Sequence, residues 1–490
     1  MAAAEGTATV TENGMRFLAL AADYDGTLAR DGRVAPETCD ALRRLRETGR
    51  KLILVTGRRL PELQEGFPEH GLFDLIVAEN GALLWQPKTR TEKVLAEPPP
   101  PRFAEELRRR GVLPLAEGRV IVATWQPHET KVFETIRDLG LEMQVIFNKG
   151  AVMILPSGVN KASGLRAALE ALELSPHNVV AVGDAENDHA LLQMAEAGAA
   201  VSNAVPSLKE KADLVTAGDR GAGVAELVGR LLRDDLADVE KLRRHDLEIG
   251  TLDDGTAMRV PVYGVGVMVA GTSGGGKSTL AAGVIERLTE RRYQFCIIDP
   301  EGDFAEMEGA VVLGDARHTP SPDEVMTALG HPAQNVVVNL IGLALADRPS
   351  YFEKLFSRVI SLRVRTGRPH WLILDEAHHI LPRSRDEAVL IHPAQISGML
   401  VITLEPEHVA RSILQGGRSH LRHRGASRAK PFAPSARPWA RSRPRWKRRR
   451  SKRDRPWRGG AIPAASLSAS AALRPRCRAS ATSASTPRAT

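Results

Sequence analysis

Residues 17–27 read FLALAADYDGT. Six apolar residues with no alternation suit a strand buried on both faces of a parallel sheet. The run stops at Asp23, and Asp25 follows two positions later. Open parallel sheets bind ligands beyond the carboxyl ends of their strands, so this pair of carboxylates stands where a ligand would sit. One can attack as a nucleophile while the other shuttles a proton. Gly26 lets the chain turn sharply away.

Three further strand ends carry matching chemistry. Thr56-Gly57-Arg58 follows the apolar run 52–55, and a hydroxyl there can hold a phosphoryl oxygen. Lys161 opens an amphipathic stretch (161–172) after the strand 151–155, and an ammonium can offset charge that builds in a transition state. Gly183-Asp184-Ala185-Glu186-Asn187-Asp188 follows the run 179–182. Mg²⁺ takes hard oxygen ligands and needs only one or two protein carboxylates, which Asp184 with Asp188 nearby can supply. Read alone, each piece has an ordinary explanation: an Asx-capped turn, a solvated lysine, a Thr-Gly turn. Four of them at strand ends in this order do not.

In this order the motifs resemble those of the haloacid dehalogenase superfamily of phosphatases. DYDGT looks like its first motif, Thr56 its second, Lys161 its third and GDAEND its fourth. Glu79-Asn80-Gly81-Ala82 looks like the element of members whose cap lies between the second and third motifs. The resemblance covers residues 15–235, with the cap at about 86–150. It implies that Asp23 attacks phosphorus and that Asp25 protonates the leaving alcohol and then activates water. Thr56 and Lys161 would hold phosphoryl oxygens, with Gly57, Arg58 and Asn187 in the same pocket. Mg²⁺ would be bound by Asp23, Asp25 and Asp184, with Asp188 in support. An acid at the second position of the pair favours ester hydrolysis, because a leaving alkoxide needs a proton. The cap offers Arg102, Arg108 to Arg110, Trp125, His128 and Lys131, none of which the sequence singles out.

A linker at 236–246 leads to a second β/α alternation over 247–417, with strands expected at 265–270, 294–298, 336–340, 371–374 and 399–403. Gly271-Thr272-Ser273-Gly274-Gly275-Gly276-Lys277-Ser278 fits G-x-x-x-x-G-K-[ST] between a strand and the helical run 279–289. Backbone N–H groups at Gly271, Gly274, Gly275 and Gly276, with Thr279 in the helix's first turn, would wrap the phosphates of ATP. Lys277 would reach the β- and γ-phosphates, and Ser278 would ligand Mg²⁺. Asp375 and Glu376 follow the apolar run 371–374, as a metal-shell acid and a water-polarising base. With Asp299-Pro300-Glu301-Gly302-Asp303 they resemble the HerA/FtsK-type branch of P-loop ATPases, typically hexameric translocases, which implies a homo-oligomer through this domain. Where a sensor or arginine finger should follow Thr403, a basic tail begins instead, so ATP binding is expected ahead of turnover. A small-molecule kinase is disfavoured by the DPEGD and DEAHH strings.

The fold class expected is α/β: two Rossmann-like parallel-sheet domains, the first with a small α/β cap, and a disordered Arg-rich tail. The net charge of +8 comes from that tail. Residues 418–490 hold eighteen Arg and three Lys against Asp454, a net +20, so the first 417 residues carry −12. An acidic body does not support nucleic-acid binding. The tail reads as an out-of-frame or degenerate C-terminus in preference to a nucleic-acid arm. Three scattered cysteines, no apolar leader and no apolar run of membrane-spanning length predict a cytoplasmic protein. The expected function is Mg²⁺-dependent hydrolysis of a small phosphorylated metabolite, such as a sugar phosphate or phosphoglycolate, with a fused ATP-binding domain. The competing reading is an ATP-driven translocase or regulator with an auxiliary phosphatase.

Overall fold

Continuous Val, Leu, Ile and Ala runs can be strands only if both faces are covered, and here they are. In the computed structural model the strands Ala19–Asp23, Lys51–Val55, Leu75–Ala78 and Val179–Gly183 are buried along almost their whole length. Described are residues 15–237, 244–251, 256–270, 277–385 and 397–410. The chain divides into two units, residues 1–245 with 293–372, and residues 246–292 with 373–490.

In the first unit an eight-stranded sheet runs in the order Leu214–Val215, Ala197–Ala200, Val179–Gly183, Ala19–Asp23, Lys51–Val55, Leu75–Ala78, Leu83–Gln86, Thr91–Val94. The first six are parallel and the last two form an antiparallel hairpin on the edge. Ala19–Asp23 lies between the strand next after it in the sheet's first half and one from far along the chain. That is a switch point, where a parallel sheet opens a crevice at its carboxyl edge. The helix Pro36–Glu47 starts with proline and carries Glu37 in its first turn and Arg44 and Arg46 in its last, matching its dipole. It buries Cys39, Ala41, Leu42 and Leu45 against the core shared with Val224, Leu227, Val228 and Leu231 of Arg220–Asp234.

Residues between Val94 and Lys161 build a separate antiparallel sheet, in the order Met143–Asn148, Ala151–Pro156, Val122–Trp125, Ala116–Glu117. Alternation along Ala151–Pro156 explains its two faces. Val152 and Ile154 pack with Phe103, Leu107 and Val132 of the helices Pro101–Arg109 and Glu129–Asp138, whereas Met153 and Leu155 pack with Ala82, Val120 and Ile121. This sheet is the cap. The first unit also holds the parallel strands Phe295–Asp299, Asn335–Asn339 and Ala310–Leu313.

In the second unit, Gly266–Ala270 and Met399–Thr403 pair in parallel from Gly266 with Met399 to Ala270 with Thr403. The helix Lys277–Glu290 follows the glycine-rich stretch. Gly271, Gly274, Gly275, Gly276 and the basic segment 418–490 lie outside the described residues. The helix Arg220–Asp234 stops where Asp235 adopts left-handed φ, and residues 238–243 of the expected linker lie outside the described residues. No described helix is long and apolar enough to cross a membrane.

Candidate active site

Asp23 ends the central strand and is 3% exposed. The turn behind it needs a glycine: Gly26 has φ +85°, and a Cβ there would lie 2.3 Å from Asp184 Oδ2. Asn203 holds this turn by donating from Nδ2 to the Gly26 carbonyl at 2.8 Å. Lys161 is the first residue of Lys161–Ala171, whose end is fixed by a capping box between Asn160 and Ser163. The cap aims a buried ammonium, whose Nζ lies 2.5 Å from Asp23 Oδ1 and 2.6 Å from Asp188 Oδ1. Asp188 Oδ2 accepts from the Asp184 and Ala185 amides at 3.0 Å each. Both Asp188 oxygens are therefore engaged, one by Lys161 and one by the loop amides.

One ligand oxygen from each of Asp23, Asp184 and Asp188 falls within 4.8 Å of the others, all buried. Such crowding disfavours charge. Burial, then the Asp188 charge, push the Asp23 carboxyl up to about 8, against the opposing pull of Lys161. Burial likewise raises Asp184, opposed by Lys149. The Lys161 ammonium loses hydration, but Asp188 and Asp23 outweigh that loss and hold it charged. A buried, oxygen-only cluster with surplus negative charge fits a hard divalent cation.

Thr56 is fully buried at the end of Lys51–Val55, with its N–H bonded to the Val77 carbonyl. Its Oγ1 accepts from the Arg58 amide at 3.1 Å. Arg58 does not stand free beside Gly57. Its guanidinium forks onto Asp25, Nε at 2.8 Å and Nη2 at 2.6 Å, so Arg58 sets the orientation of the second carboxylate. Asn187 donates to Asn80 Oδ1 at 3.0 Å, leaving Asn187 Oδ1 and Asn80 Nδ2 buried without protein partners among the described residues.

In the second unit, Lys277 is buried at the start of its helix, and Asp375 is buried at the end of Trp371–Leu374. Burial lowers the Lys277 ammonium, while the Glu376 and Asp375 charges oppose that. Glu376 has left-handed φ of 40°, and its N–H bonds to Asp375 Oδ1 at 3.0 Å. Ser278 is exposed and Thr279 half-buried on the same first turn. Thr403, fully buried, meets His378 Nδ1 through its hydroxyl at 3.1 Å.

A family model for haloacid dehalogenase-like hydrolases matches residues 20–107 and 120–228. The phosphoglycolate phosphatase of Methanothermobacter thermautotrophicus is 32% identical over 224 residues, spanning 44% of this chain and 98% of that protein. The chain belongs to the haloacid dehalogenase-like hydrolases. The phosphoglycolate phosphatase of Methanopyrus kandleri is 31% identical over 225 residues, 43% of this chain and 96% of that one. A solved haloacid dehalogenase-like hydrolase from Bacteroides thetaiotaomicron aligns with TM-score 0.39 at 20% identity, covering 44% of this chain and all of the other. A second family model, helicase HerA central domain, matches residues 247–356. The protein is thus a phosphoric monoester hydrolase of the haloacid dehalogenase type carrying a HerA-like segment.

In this hydrolase the structure brings Asp23, Thr56, Lys161, Asp184, Asn187 and Asp188 to one sheet edge. Three participants escaped the sequence reading. Asn203 lies in a turn with no motif. Lys149 is a lone cap lysine, yet its Nζ reaches Asp184 Oδ2 at 2.6 Å. Glu79, buried with φ +53°, accepts from the cap amides of Arg119 (2.8 Å), Val120 (2.8 Å) and Ile121 (3.0 Å). Glu79 opens the ENGA string, but nothing in that string announces its grip on the cap. The cap arginines noted earlier are occupied locally: Arg108 pairs with Glu117, and Arg109 and Arg110 pair with Glu106.

Proposed function

We propose that residues 15–235 hydrolyse a short phosphate monoester, phosphoglycolate being the leading substrate, through a phospho-aspartate on Asp23. One observation carries this: a buried ammonium, Lys161, held 2.5 Å from a buried carboxylate at the end of the central strand. An ion pair so deep costs desolvation, and perturbed titratable groups of this kind cluster at functional sites. The names of two relatives, both phosphoglycolate phosphatases, support that choice of substrate.

Asp23 attacks phosphorus, the P–O bond to the alcohol breaks, and Asp25 gives its proton to the departing oxygen. Water then attacks phosphorus, its proton passes to Asp25, and the Asp23–phosphorus bond breaks to release phosphate. Arg58 keeps Asp25 oriented for both transfers. Lys161, Thr56 and the unmatched Asn80 Nδ2 hold phosphoryl oxygens. Asp23, the Asp25 carbonyl and Asp184 would hold Mg²⁺, which supplies charge neutralisation at the phosphoryl group.

For residues 247–417 the reading is an ATP-binding module, supported by Lys277 buried beside Asp375 and Glu376 and by the HerA-type match. Lys277 and Ser278 would serve phosphate and Mg²⁺, with Glu376 facing the attacking water. Rapid acid quench with phosphoglycolate and Mg²⁺, followed by peptide mapping, tests the phosphatase chemistry. The phosphoryl adduct belongs on the Asp23 peptide. An adduct on another residue would falsify the assignment.

A further inference from the structure

We propose that Lys149 is the residue through which the cap recognises an anionic group on the leaving alcohol, so that esters whose alcohol bears a carboxylate are preferred. This rests on the Asp23 reading above. The antiparallel pair Met143–Asn148 and Ala151–Pro156 closes at Asn148 opposite Ala151, leaving Lys149 and Gly150 as a two-residue turn. Both have positive φ, 48° and 88°. Such turns match the twist of their strands and strongly favour Asn or Asp followed by Gly. A lysine at the first position is disfavoured by its own backbone, and its side chain is what the position gains.

That side chain reaches the catalytic core. Nζ lies 2.6 Å from Asp184 Oδ2, and a Cβ on Gly26 would come within 2.6 Å of it. The head group thus fills the space above the nucleophile turn, beside a carboxylate cluster no wider than 4.8 Å. At the same tip Asn148 Oδ1 is buried with no protein partner among the described residues, and Trp125 ring carbons lie 3.8 Å from where a Gly150 Cβ would be. Three other cap cations, Arg108, Arg109 and Arg110, are neutralised by Glu117, Glu106 and Asp138.

Asp184 is also a ligand for the divalent cation that this cluster fits. A divalent cation held by Asp184 would compete with the ammonium for that carboxylate, leaving Lys149 at the hairpin tip in need of another anionic partner. A carboxylate on the substrate restores the pair, as a charge-assisted hydrogen bond in a half-buried place.

Phosphoglycolate and ethyl phosphate differ only in that carboxylate against a methyl group, so the ratio of their kcat/KM values isolates it. In the full-length protein with Mg²⁺, Lys149→Met is expected to lower this ratio at least tenfold, chiefly through the KM of phosphoglycolate, and Lys149→Arg to restore most of it. Calorimetric binding of the two esters to Asp23→Asn, with and without Lys149→Met, should show the same loss of preference where no turnover occurs. Equal losses for both esters, an unchanged ratio, or a wild-type protein with no preference for phosphoglycolate each overturn the proposal while leaving the Asp23 reading intact. Failure of the wild-type protein to cleave any monoester overturns both.

Discussion

At the scale of single residues, Asp23, Thr56 and Asp184 were legible because each follows an apolar strand of a buried parallel sheet, whereas Lys161 follows Ala151–Pro156, a strand of the antiparallel cap sheet. What the sequence lacked was partnership. Arg58, expected at the phosphate, forks onto Asp25, and Asp188, expected beside the metal, joins Asp23 and Asp184 in the acidic cluster while also binding Lys161 and the loop amides. These contacts span 33 and 27 positions and no periodicity announces them. Two substitutions test the arrangement. Asp188→Asn removes one of the charges steering Lys161, and kcat should fall roughly a hundredfold, about 2.7 kcal/mol of transition-state stabilisation. Steady-state kinetics with unaltered phosphoglycolate binding would check it; a loss confined to KM would argue that Asp188 acts on binding. Gly26→Ala forces a methyl to within 2.3 Å of Asp184 Oδ2 at φ +85°. Activity should drop far more than the roughly 1 kcal/mol of stability that alanine loses in left-handed backbone. A thermal melt and a kinetic assay on one preparation separate the two effects.

At the scale of elements, most strands and helices could be read from apolar runs and their caps. The hairpin Leu83–Gln86 with Thr91–Val94 could not, because its second strand is exposed throughout and carries no alternation. The cap was visible as an insertion, but not what fixes it. Glu79 does so, with one carboxylate satisfying three consecutive cap amides. Gly118 must be glycine for this approach, since a Cβ would sit 2.5 Å from Glu79 Oε1. Hydrogen bonds to a charged acceptor contribute about 1.5–3 kcal/mol each before water replaces them. Glu79→Ala should therefore cost about 3 kcal/mol in urea unfolding and make the cap more open to limited proteolysis. Unchanged proteolysis would mean that the apolar contacts of Met153 and Leu155 hold the cap without it.

At the scale of the whole molecule, the first unit contains a buried polar cluster that its chemistry does not use. Glu196, fully buried, accepts from Arg16 (2.6 Å) and Tyr293 (2.9 Å) and lies 2.8 Å from His177 Nδ1. His177 stacks on Tyr293 with ring centres 3.7 Å apart. Burial favours a charged Glu196 least, yet His177 and Arg16 outweigh it and hold the carboxyl down at about 2. Burial pushes the His245 imidazole down to about 4 and His370 well below its ordinary range. A depressed histidine contributes stability that is complete above pH 6.5 or so and is lost as pH falls toward its folded value. The Glu196 contribution begins to fade only below the ordinary glutamate range. Urea midpoints should therefore drop between pH 7 and pH 4, by up to about 3 kcal/mol from His245, and His245→Gln should flatten part of that slope. No slope in the wild-type protein would contradict the neutral, buried histidines. Lys277 lies in the other unit, and no step of the proposed phosphatase chemistry uses it. The central claim is that phosphate release depends on the carboxylate of Asp23. The direct measurement is phosphate release from phosphoglycolate and a panel of monoesters with Mg²⁺, for the wild-type, Asp23→Asn and Lys277→Ala proteins. Asp23→Asn should abolish turnover and Lys277→Ala should retain most of it. Turnover surviving in Asp23→Asn, or lost in Lys277→Ala alone, would contradict the account.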